Sequence, residues 1–303
     1  MNNIPLVSVI ILAYNHERFI SKALDSVIRQ ERSFPVEILI NDDASLDSTP
    51  DIIRDYENRY PDLIFFFPHS INQGAMKSFY FIQDKCKGKY IMACAGDDYW
   101  LPGKMKLQVE YMETHSEVGM CYGKVKRLYN ENFLKSLGDR GGEIFEEILF
   151  RNPIPAVTVC RRADMSKLYM DEIHPEQKEW VMDDLPMWLW FSKNSRISYI
   201  DKELSVYRIV QGSISHPISL EKKLYYATSH NNVLKYFTKN EPSYRKRINR
   251  EYEHTVANAY LADGDIREYR IHNKKSGGLP ELIKNLISYI PGGIKYLKGR
   301  LKW

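Results

Sequence analysis

Four turns in the first half of the chain carry polar residues, and each turn directly follows an apolar run. These residues are Tyr14-Asn15, Asn41-Asp42-Asp43, Asn72 and Asp97-Asp98. A solvated helix cap explains one acidic turn of this kind more often than a binding site does. Four such turns in register favour a ligand site, because an open parallel sheet gathers its ligands at the carboxyl ends of its strands.

The carboxylate pair Asp97-Asp98 has the chemistry of a site for a hard divalent cation. Mg²⁺ and Mn²⁺ prefer one or two carboxylates together with phosphate oxygens and water. Asp43, on a neighbouring turn, can accept a hydrogen bond from the imide of a nucleobase, and Tyr14 can offer an aromatic face for stacking. The set therefore predicts a nucleoside diphosphate held through Mn²⁺ or Mg²⁺.

Several commoner nucleotide and metal motifs are absent from the sequence. No G-x-G-x-x-G follows the first strand, and no Gly-Lys pair is followed by Ser or Thr, so neither a dinucleotide fingerprint nor a P-loop is present. His16-Glu17 lacks the second histidine of a zinc protease, and the four cysteines show no C-x-x-C spacing. We interpret those cysteines as buried free thiols of a reducing compartment.

Alternating strands and helices are predicted over the first 115 residues, in the pattern of β-α-β units. Apolar β-branched runs predict strands at 6–12, 36–40, 63–67 and 90–94, each followed by a helix. The later predictions are strands at 118–122, 157–160, 197–200 and 204–207, a loop at 138–142 and helices at 184–191 and within 220–262. The prediction is an α/β protein with a mostly parallel twisted sheet flanked by helices and an additional helical C-terminal region.

An ordered set of motifs over residues 6–216 resembles that of the family-two glycosyltransferases, which are inverting enzymes of the GT-A fold. The motifs are the run 7–15, Asn41-Asp42-Asp43-Ala44-Ser45, Asn72-Gln73-Gly74, Gly96-Asp97-Asp98, Asp183-Asp184-Leu185-Pro186-Met187-Trp188, and Leu204-Ser205-Val206-Tyr207-Arg208 with Ser213 and Ser215. Ala44 stands where this family usually has glycine. The resemblance implies a GT-A domain over 1–219 and a separate helical region over 220–303.

The resemblance also implies a role for each matched residue. Asp98 would ligate the metal, and Asp184 would be the catalytic base. His216 follows the serines, where some GT-A enzymes place a further metal ligand, although a loop residue beside Pro217 is the simpler interpretation. Trp188 is the aromatic residue expected to face the acceptor. The donor would contact Tyr14, Asn15, Asp43, Asp97, Arg208, Ser213 and Ser215.

The expected reaction moves a sugar from a nucleotide sugar, with a UDP-sugar favoured, to a hydroxyl of a glycan or a lipid-linked glycan. One base near the acceptor and one metal at the leaving diphosphate suffice for such a transfer. Two alternatives stay open. A nucleotidyltransferase would need a glycine-rich basic loop after the first strand, and a non-catalytic docking module would gain little from a metal pair plus a base. Asp183-Asp184 alone would also suit a plain helix N-terminus.

The charge of the chain is concentrated at its C-terminal end. The chain has 303 residues and a formal net charge of +4. Residues 272–303 hold seven basic residues and one acidic residue, a charge of +6, which leaves −2 for the first 271. A nucleic-acid partner is therefore not expected. Without a secretory signal or an apolar run of ~18 residues, we expect a cytoplasmic protein.

The C-terminal tail has amphipathic spacing. The apolar residues of its first predicted helix are Leu282, Ile283, Leu286, Ile287 and Ile290, and those of the second are Ile294, Leu297 and Leu301. Lys295, Lys298, Arg300 and Lys302 surround the second set. Such a stretch fits an anionic membrane surface, and packing on the protein body or on another subunit is the open alternative.

Overall fold

The structure is a computed structural model that describes residues 4–213, 217–290 and 292–299. Its described residues form a nine-stranded sheet with the order β3-β2-β1-β4-β8-β6-β9-β5, and β7 pairs with β6. The strands are β1 (Val7–Ala13), β2 (Val36–Asp42), β3 (Ile64–Pro68), β4 (Tyr90–Ala95), β5 (Tyr99–Trp100), β6 (Val118–Tyr129), β7 (Asn132–Leu137), β8 (Cys160–Arg162) and β9 (Arg196–Arg208).

Helices flank the sheet and make up the C-terminal region. They are α1 (Ile20–Ile28), α2 (Thr49–Arg59), α3 (Ala75–Gln83), α4 (Lys104–Thr114), α5 (Phe145–Arg151), α6 (Ala163–Ile173), α7 (Asp184–Asn194), α8 (Leu220–Phe237), α9 (Arg245–Asp263), α10 (Ile266–Ser276), α11 (Leu279–Ile287) and α12 (Gly293–Lys298). The predicted helix over 184–191 corresponds to α7, and the predicted helical stretch within 220–262 divides into α8 and α9.

The first four strands in sequence form the parallel half of the sheet. β1 pairs in parallel with β2 on one side and with β4 on the other, and β3 pairs in parallel with β2. The sequence VSVIILA of β1 is buried almost throughout, as a central strand covered on both faces must be. In register, Ala13 lies opposite Asp42 and Leu12 lies opposite Ala95. The carboxyl ends of these strands therefore meet at one edge.

The second half of the sheet is mixed and departs from the prediction in three places. The predicted strands 197–200 and 204–207 are one continuous strand, β9, which runs in parallel beside β6. The predicted strand 118–122 extends to Tyr129 and returns through a turn at Asn130 and Glu131 as β7. Residues 156–158 are a 3₁₀ turn, and strand structure begins only at Cys160. The α/β class itself is confirmed.

The chain divides into two compact units. Unit 1 comprises the chain up to Lys178 together with Asp183–Ile209, and unit 2 comprises Glu179–Met182 and the chain from Val210. The core of unit 1 lies between the sheet and its helices and includes Ile11, Leu24 and Ile40. Unit 2 is helical, and a small apolar cluster within it is built around Ala257, Leu261, Tyr269 and Leu297.

Candidate active site

The strand register brings three of the predicted turns to one edge of the parallel half. The N–H of Asp43 donates to the carbonyl of Ala13 at 2.9 Å, and the N–H of Gly96 donates to the carbonyl of Leu12 at 2.8 Å. These bonds continue the β1–β2 and β1–β4 pairings by one residue. The turns that follow β1, β2 and β4 are therefore adjacent.

The turn after β1 is held by the turn after β2. Asn15 adopts a left-handed φ of 55°, its N–H donates to Ser45 Oγ, and its Oδ1 accepts the N–H of Leu46, both at 2.8 Å. Ala44 also has a positive φ, 59°, a conformation that glycine adopts without steric cost and alanine rarely adopts. The Tyr14 side chain is exposed beside this turn. Tyr14 can therefore offer a ring face, whereas the Asn15 side chain acts in the turn itself.

Asp43 is buried, and the loop after β3 supplies its hydrogen-bond donors. The N–H groups of Gln73 and Gly74 each donate to its carboxylate at 2.8 Å, and His69 Nδ1 lies 3.1 Å from Oδ1. Burial raises the pKa of Asp43, but the donors from Gln73, His69, Ser78 and Gly74 outweigh burial, so the net shift is downward. Sequence reasoning missed His69, because a histidine after an apolar run has no distinctive spacing.

Asp98 lies at the centre of the site. It is 3% exposed, and its Oδ1 accepts the backbone N–H of Arg208 at 2.8 Å. Burial and the neighbouring charge of Asp97 raise the pKa of Asp98 well above its usual range. Two adjacent carboxylates in this position, with one of them buried, fit a divalent cation, because a cation removes the repulsion between them.

Arg208 joins the end of β9 to the turn after β4. Its Nε donates to the carbonyl of Asp97 at 3.1 Å, and its guanidinium carbon lies 4.6 Å from the ring centre of Phe19. Nη1 lies 3.3 Å from Glu131 on the β6–β7 turn. The antiparallel pairing of β5 with β9 produces this arrangement, since Tyr99 lies opposite Val206. The structure therefore brings Arg208 to the Asp97-Asp98 pair, from which it is distant in sequence.

The second acidic pair lies at the N-terminus of α7. Asp184 Oδ1 accepts the N–H of Leu185 at 2.7 Å, and its Oδ2 lies 3.5 Å from Asn152 Nδ2. Burial raises the pKa of Asp184, and burial together with the charge of Asp184 raises the pKa of Asp183 to about 6. Asn152, a left-handed residue that ends α5, was not identified from the sequence. A single asparagine that belongs to no motif gives no sequence signal of a functional role.

Trp188 lies in the interior of unit 1. It is 3% exposed, and its Nε1 has no hydrogen-bond partner among the described residues. Trp190 is also buried and donates from Nε1 to Glu172 at 2.8 Å. The seven residues Leu185 to Phe191 are all buried, so α7 is a core helix along this stretch. This burial disfavours an acceptor contact at Trp188, which stays a prediction.

Of the predicted serine and histidine ligands, the structure describes Ser213 alone. Ser213 belongs to unit 2, its N–H lies 3.3 Å from the carbonyl of Val210, and its Oγ is buried without a partner among the described residues. Ser215 and His216 lie outside the described residues. Within the described ranges, no group of three or more His, Cys, Asp or Glu side chains is arranged to hold a metal. A cation here would rest on the Asp97-Asp98 pair and on oxygens of its ligand.

Among the helices that the structure describes, none combines the length and the hydropathy needed to cross a bilayer.

Comparisons with known proteins show the family of the chain. Residues 8–165 match the family model described as Glycosyl transferase family 2. Uncharacterised proteins of Mycobacterium bovis and Mycobacterium tuberculosis are 30% identical over 229 residues, which is 73% of this chain and 64% of theirs. The chain thus spans somewhat less than two thirds of these relatives.

Two solved structures resemble the fold at low sequence identity. TarS of S. aureus in complex with UDP-GlcNAc has a TM-score of 0.58 at 18% identity, over 98% of this chain and 93% of that one. The mannosyltransferase PcManGT from Pyrobaculum calidifontis, in complex with GDP-Man and Mn²⁺, has a TM-score of 0.58 at 14% identity, over 97% and 83%. These likenesses show a shared architecture.

Proposed function

Since the match over residues 8–165 shows that this chain belongs to glycosyltransferase family 2, we propose that it transfers a sugar from a nucleotide sugar to a hydroxyl acceptor, with inversion. The predicted GT-A fold is confirmed by the likeness to TarS and PcManGT. One observation carries the proposal, namely the contact of Arg208 with both Asp97 and Asp98 beside the turns that follow β1 and β2.

The donor in this proposal is a UDP-sugar. Tyr14 would stack on the nucleobase, Asp43 would accept from its imide, and Asp97 would contact the ribose or the sugar phosphate. The bonds from Gln73 and Gly74 hold the Asp43 carboxylate in place, and its lowered pKa keeps it an acceptor at neutral pH. Arg208, Ser213 and Ser215 would contact the diphosphate. TarS is bound to UDP-GlcNAc and PcManGT to GDP-Man, so the nucleobase is the first property to test.

The metal in this proposal is Mn²⁺ or Mg²⁺, held by Asp98 with Asp97 beside it, and His216 is a further candidate ligand. When bound, such an ion neutralises charge that develops on a departing diphosphate. The backbone N–H of Arg208 orients Asp98 through Oδ1. PcManGT contains Mn²⁺, which supports this choice.

The base in this proposal is Asp184, which would take the proton of the acceptor hydroxyl. Its Oδ1 is held by the N–H of Leu185, and its raised pKa brings it closer to the value at which a carboxylate works as a base near neutrality. An inverting transfer needs no second catalytic carboxylate. The acceptor class proposed is a glycan or a lipid-linked glycan.

A nucleotidyltransferase is disfavoured by the turn after β1. Binding a triphosphate at this turn would require backbone N–H groups that have no other hydrogen-bond partner. The N–H groups of Asn15, His16 and Glu17 instead donate to side chains of Ser45, Thr49 and Asp47 at 2.8, 2.8 and 3.1 Å. A non-catalytic module stays the second alternative, and measured turnover of a donor would exclude it.

The test is a panel of UDP-, GDP- and dTDP-sugars with Mn²⁺, scored by thermal shift and by slow donor hydrolysis. We expect UDP-sugars to stabilise the protein and to be hydrolysed. Asp98→Ala and the near-isosteric Asp98→Asn should both lose hydrolysis, while the exposed control Asp171→Ala retains it. Wild-type turnover by both Asp98 variants, or undiminished turnover in EDTA, would overturn the metal-dependent mechanism. Binding without turnover of any donor would favour the non-catalytic module.

A further inference from the structure

We propose that unit 2 docks on an anionic lipid bilayer through the exposed apolar face of α11 and a basic cleft at its N-terminal end. The exposed apolar face is Leu282, Ile283, Leu286, Tyr289 and Ile290. The basic cleft is lined by Lys235, Lys246, Arg247, Arg250 and Lys275. This proposal concerns unit 2 alone and does not depend on the donor or on the transfer chemistry.

The apolar face of α11 and of the turn after it is exposed, although the guanidinium carbon of Arg270 lies 3.7 Å from the ring centre of Tyr289. Leu282 is 50% exposed, Leu286 is 68% exposed and Ile290 is 58% exposed. At 100° per residue the three side chains within α11 fall within a sector of ~100°, and the exposed Tyr289 and Ile290 follow in the turn after the helix. A contiguous apolar stripe at a surface marks a contact site.

The opposite side of α11 is fixed to unit 2. Ile287 packs on the cluster of Ala257, Leu261 and Tyr269. Arg270 donates to the Oγ and the carbonyl oxygen of Ser288 at 3.0 and 2.7 Å. The sequence leaves two interpretations of the tail open, namely packing on the protein and docking on a membrane. Ile287, Ile294 and Leu297 pack on the protein, whereas the exposed apolar face does not. Leu301, Arg300 and Lys302 lie outside the described residues.

The basic cleft has a volume of about 1010 Å³ and carries an excess of positive charge. Lys235 comes from α8, Lys246, Arg247 and Arg250 come from α9, and Lys275 comes from the end of α10. The acidic side chain that lines it, Glu253, is already bonded to His272 Nδ1 at 2.6 Å. Arg247 Nε donates to Glu251 at 3.0 Å, so the cations that the cleft presents to an anionic group are Lys235, Lys246, Arg250 and Lys275.

The cleft and the exposed apolar face are neighbours along the chain. Gly277 and Gly278 line the cleft and lead directly into α11, and both have positive φ, 68° and 92°. Beyond α11, the exposed Lys295 and Lys298 of α12 add two more cations. Apolar side chains that enter the acyl boundary beside cations that meet lipid phosphates are the recognised features of interfacial binding. Charge complementarity therefore favours an anionic bilayer over a second copy of this equally basic surface.

Vesicle sedimentation tests the proposal with the full chain. The protein should sediment with vesicles of 70% phosphatidylcholine and 30% phosphatidylglycerol and stay in the supernatant with pure phosphatidylcholine. The variant Leu282→Ser/Ile283→Ser/Leu286→Ser should bind at least about tenfold more weakly. Lys246→Glu/Arg250→Glu should weaken binding by at least about tenfold and flatten its salt dependence. Removal of the tail before Leu279 is a poorer test, because it also removes Ile287 and Leu297 from the small core.

Matched controls come from exposed residues of unit 1. Phe133→Ser/Leu134→Ser/Leu137→Ser removes an equal number of exposed apolar side chains from β7, and Lys135→Glu/Lys167→Glu reverses an equal number of charges. Both controls should sediment as the wild type does. Equal binding to neutral and anionic vesicles, or wild-type binding by the α11 variant with its melting temperature unchanged, would overturn the proposal. A concentration-dependent dimer that the α11 variant abolishes, without vesicle binding, would assign the face to a second copy and also overturn it.

Discussion

At the scale of single residues, Asp183 and Asp184 are neighbours with different surroundings. Asp184 accepts the N–H of Leu185, whereas the charge of Asp184 and burial raise the pKa of Asp183 to about 6. Burial raises the pKa of both carboxyls, so each one is protonated at a higher pH than an exposed aspartate. The two carboxyls can be separated by substitution.

We expect Asp184→Asn to keep donor affinity and to lose transfer by ~10²- to 10⁴-fold, the usual cost of removing a general base. Asp183→Asn should retain transfer and raise the melting temperature at neutral pH, because a buried carboxylate with a raised pKa disfavours folding once it is ionised. Wild-type transfer should fall as the pH drops through the raised pKa of Asp184, since protonation of this carboxylate removes the base. Donor affinity and turnover are measured separately by titration and by product release. If Asp183→Asn is the inactive variant, the assignment within the pair is wrong.

Some of the site could be predicted from sequence, and some could not. Asp98 and Arg208 belong to motifs, and in the structure the backbone N–H of Arg208 donates to Asp98 Oδ1 at 2.8 Å. His69 and Asn152 reach the predicted Asp43 and Asp184 only through folding, because each lies on a loop or helix end with no spacing of its own. Periodicity also could not show that Trp188 faces the interior. The spacing of aromatic residues along a helix does not indicate which face of the helix other elements cover.

At the scale of elements, the error at β9 has a clear cause. The polar run Asp201-Lys202-Glu203 predicts a break between two strands. In the structure the run is an irregularity within one strand, because the β6 partner shifts from Ile200 opposite Gly123 to Glu203 opposite Lys124. Lys124 and Lys126 on β6 pair with Asp201 and Glu203 across the sheet. Cross-strand ion pairs are tertiary contacts, which local composition does not reveal.

Helix α4 contains a buried lysine that no sequence pattern predicts. Lys104 is 1% exposed, and its Nζ donates to Gln108 Oε1 at 2.8 Å and lies 4.2 Å from the ring centre of Trp100. Burial lowers the pKa of Lys104 to about 8. The folded protein therefore loses this proton at a lower pH than the unfolded chain does, and its stability relative to a lysine-free variant must rise between about 8 and the unfolded value of ~10.4.

We expect the wild type to gain stability relative to Lys104→Met as the pH rises from 8 to 10.5. The difference in free energy of unfolding, variant minus wild type, should decrease by about 1 to 3 kcal/mol over this range. The absolute difference at neutral pH also contains the lost bond to Gln108, so the slope is the informative quantity. Urea unfolding at a series of pH values measures it. The control Lys167→Met removes an exposed lysine from α6 and should show a constant difference over this range. If the difference in free energy of unfolding is also constant for Lys104→Met, Lys104 does not bury a cation in the folded protein.

At the scale of the whole molecule, the chain enters unit 2 twice. The short segment Glu179–Met182 belongs to unit 2, although residues of unit 1 precede and follow it. Trp180 is 8% exposed, and its ring centre lies 5.4 Å from that of Tyr236 and 6.2 Å from that of Phe237 on α8. The N–H of Val181 donates to Ser229 Oγ at 2.9 Å. Composition predicts a boundary near residue 219 but gives no sign of this insertion, because four residues are too few for any periodicity.

We expect Trp180→Ala to destabilise unit 2 selectively. Truncating a buried tryptophan costs ~3–5 kcal/mol, since the transfer free energy is lost and a cavity remains against Tyr236 and Phe237. Hydrogen exchange followed by mass spectrometry should show lost amide protection in α8 and α9 and unchanged protection in β1 and β2. The reciprocal control is Trp190→Ala, which removes a buried tryptophan of unit 1 and should reduce protection there instead. Equal loss across both units in Trp180→Ala would mean that the two units unfold as one cooperative body.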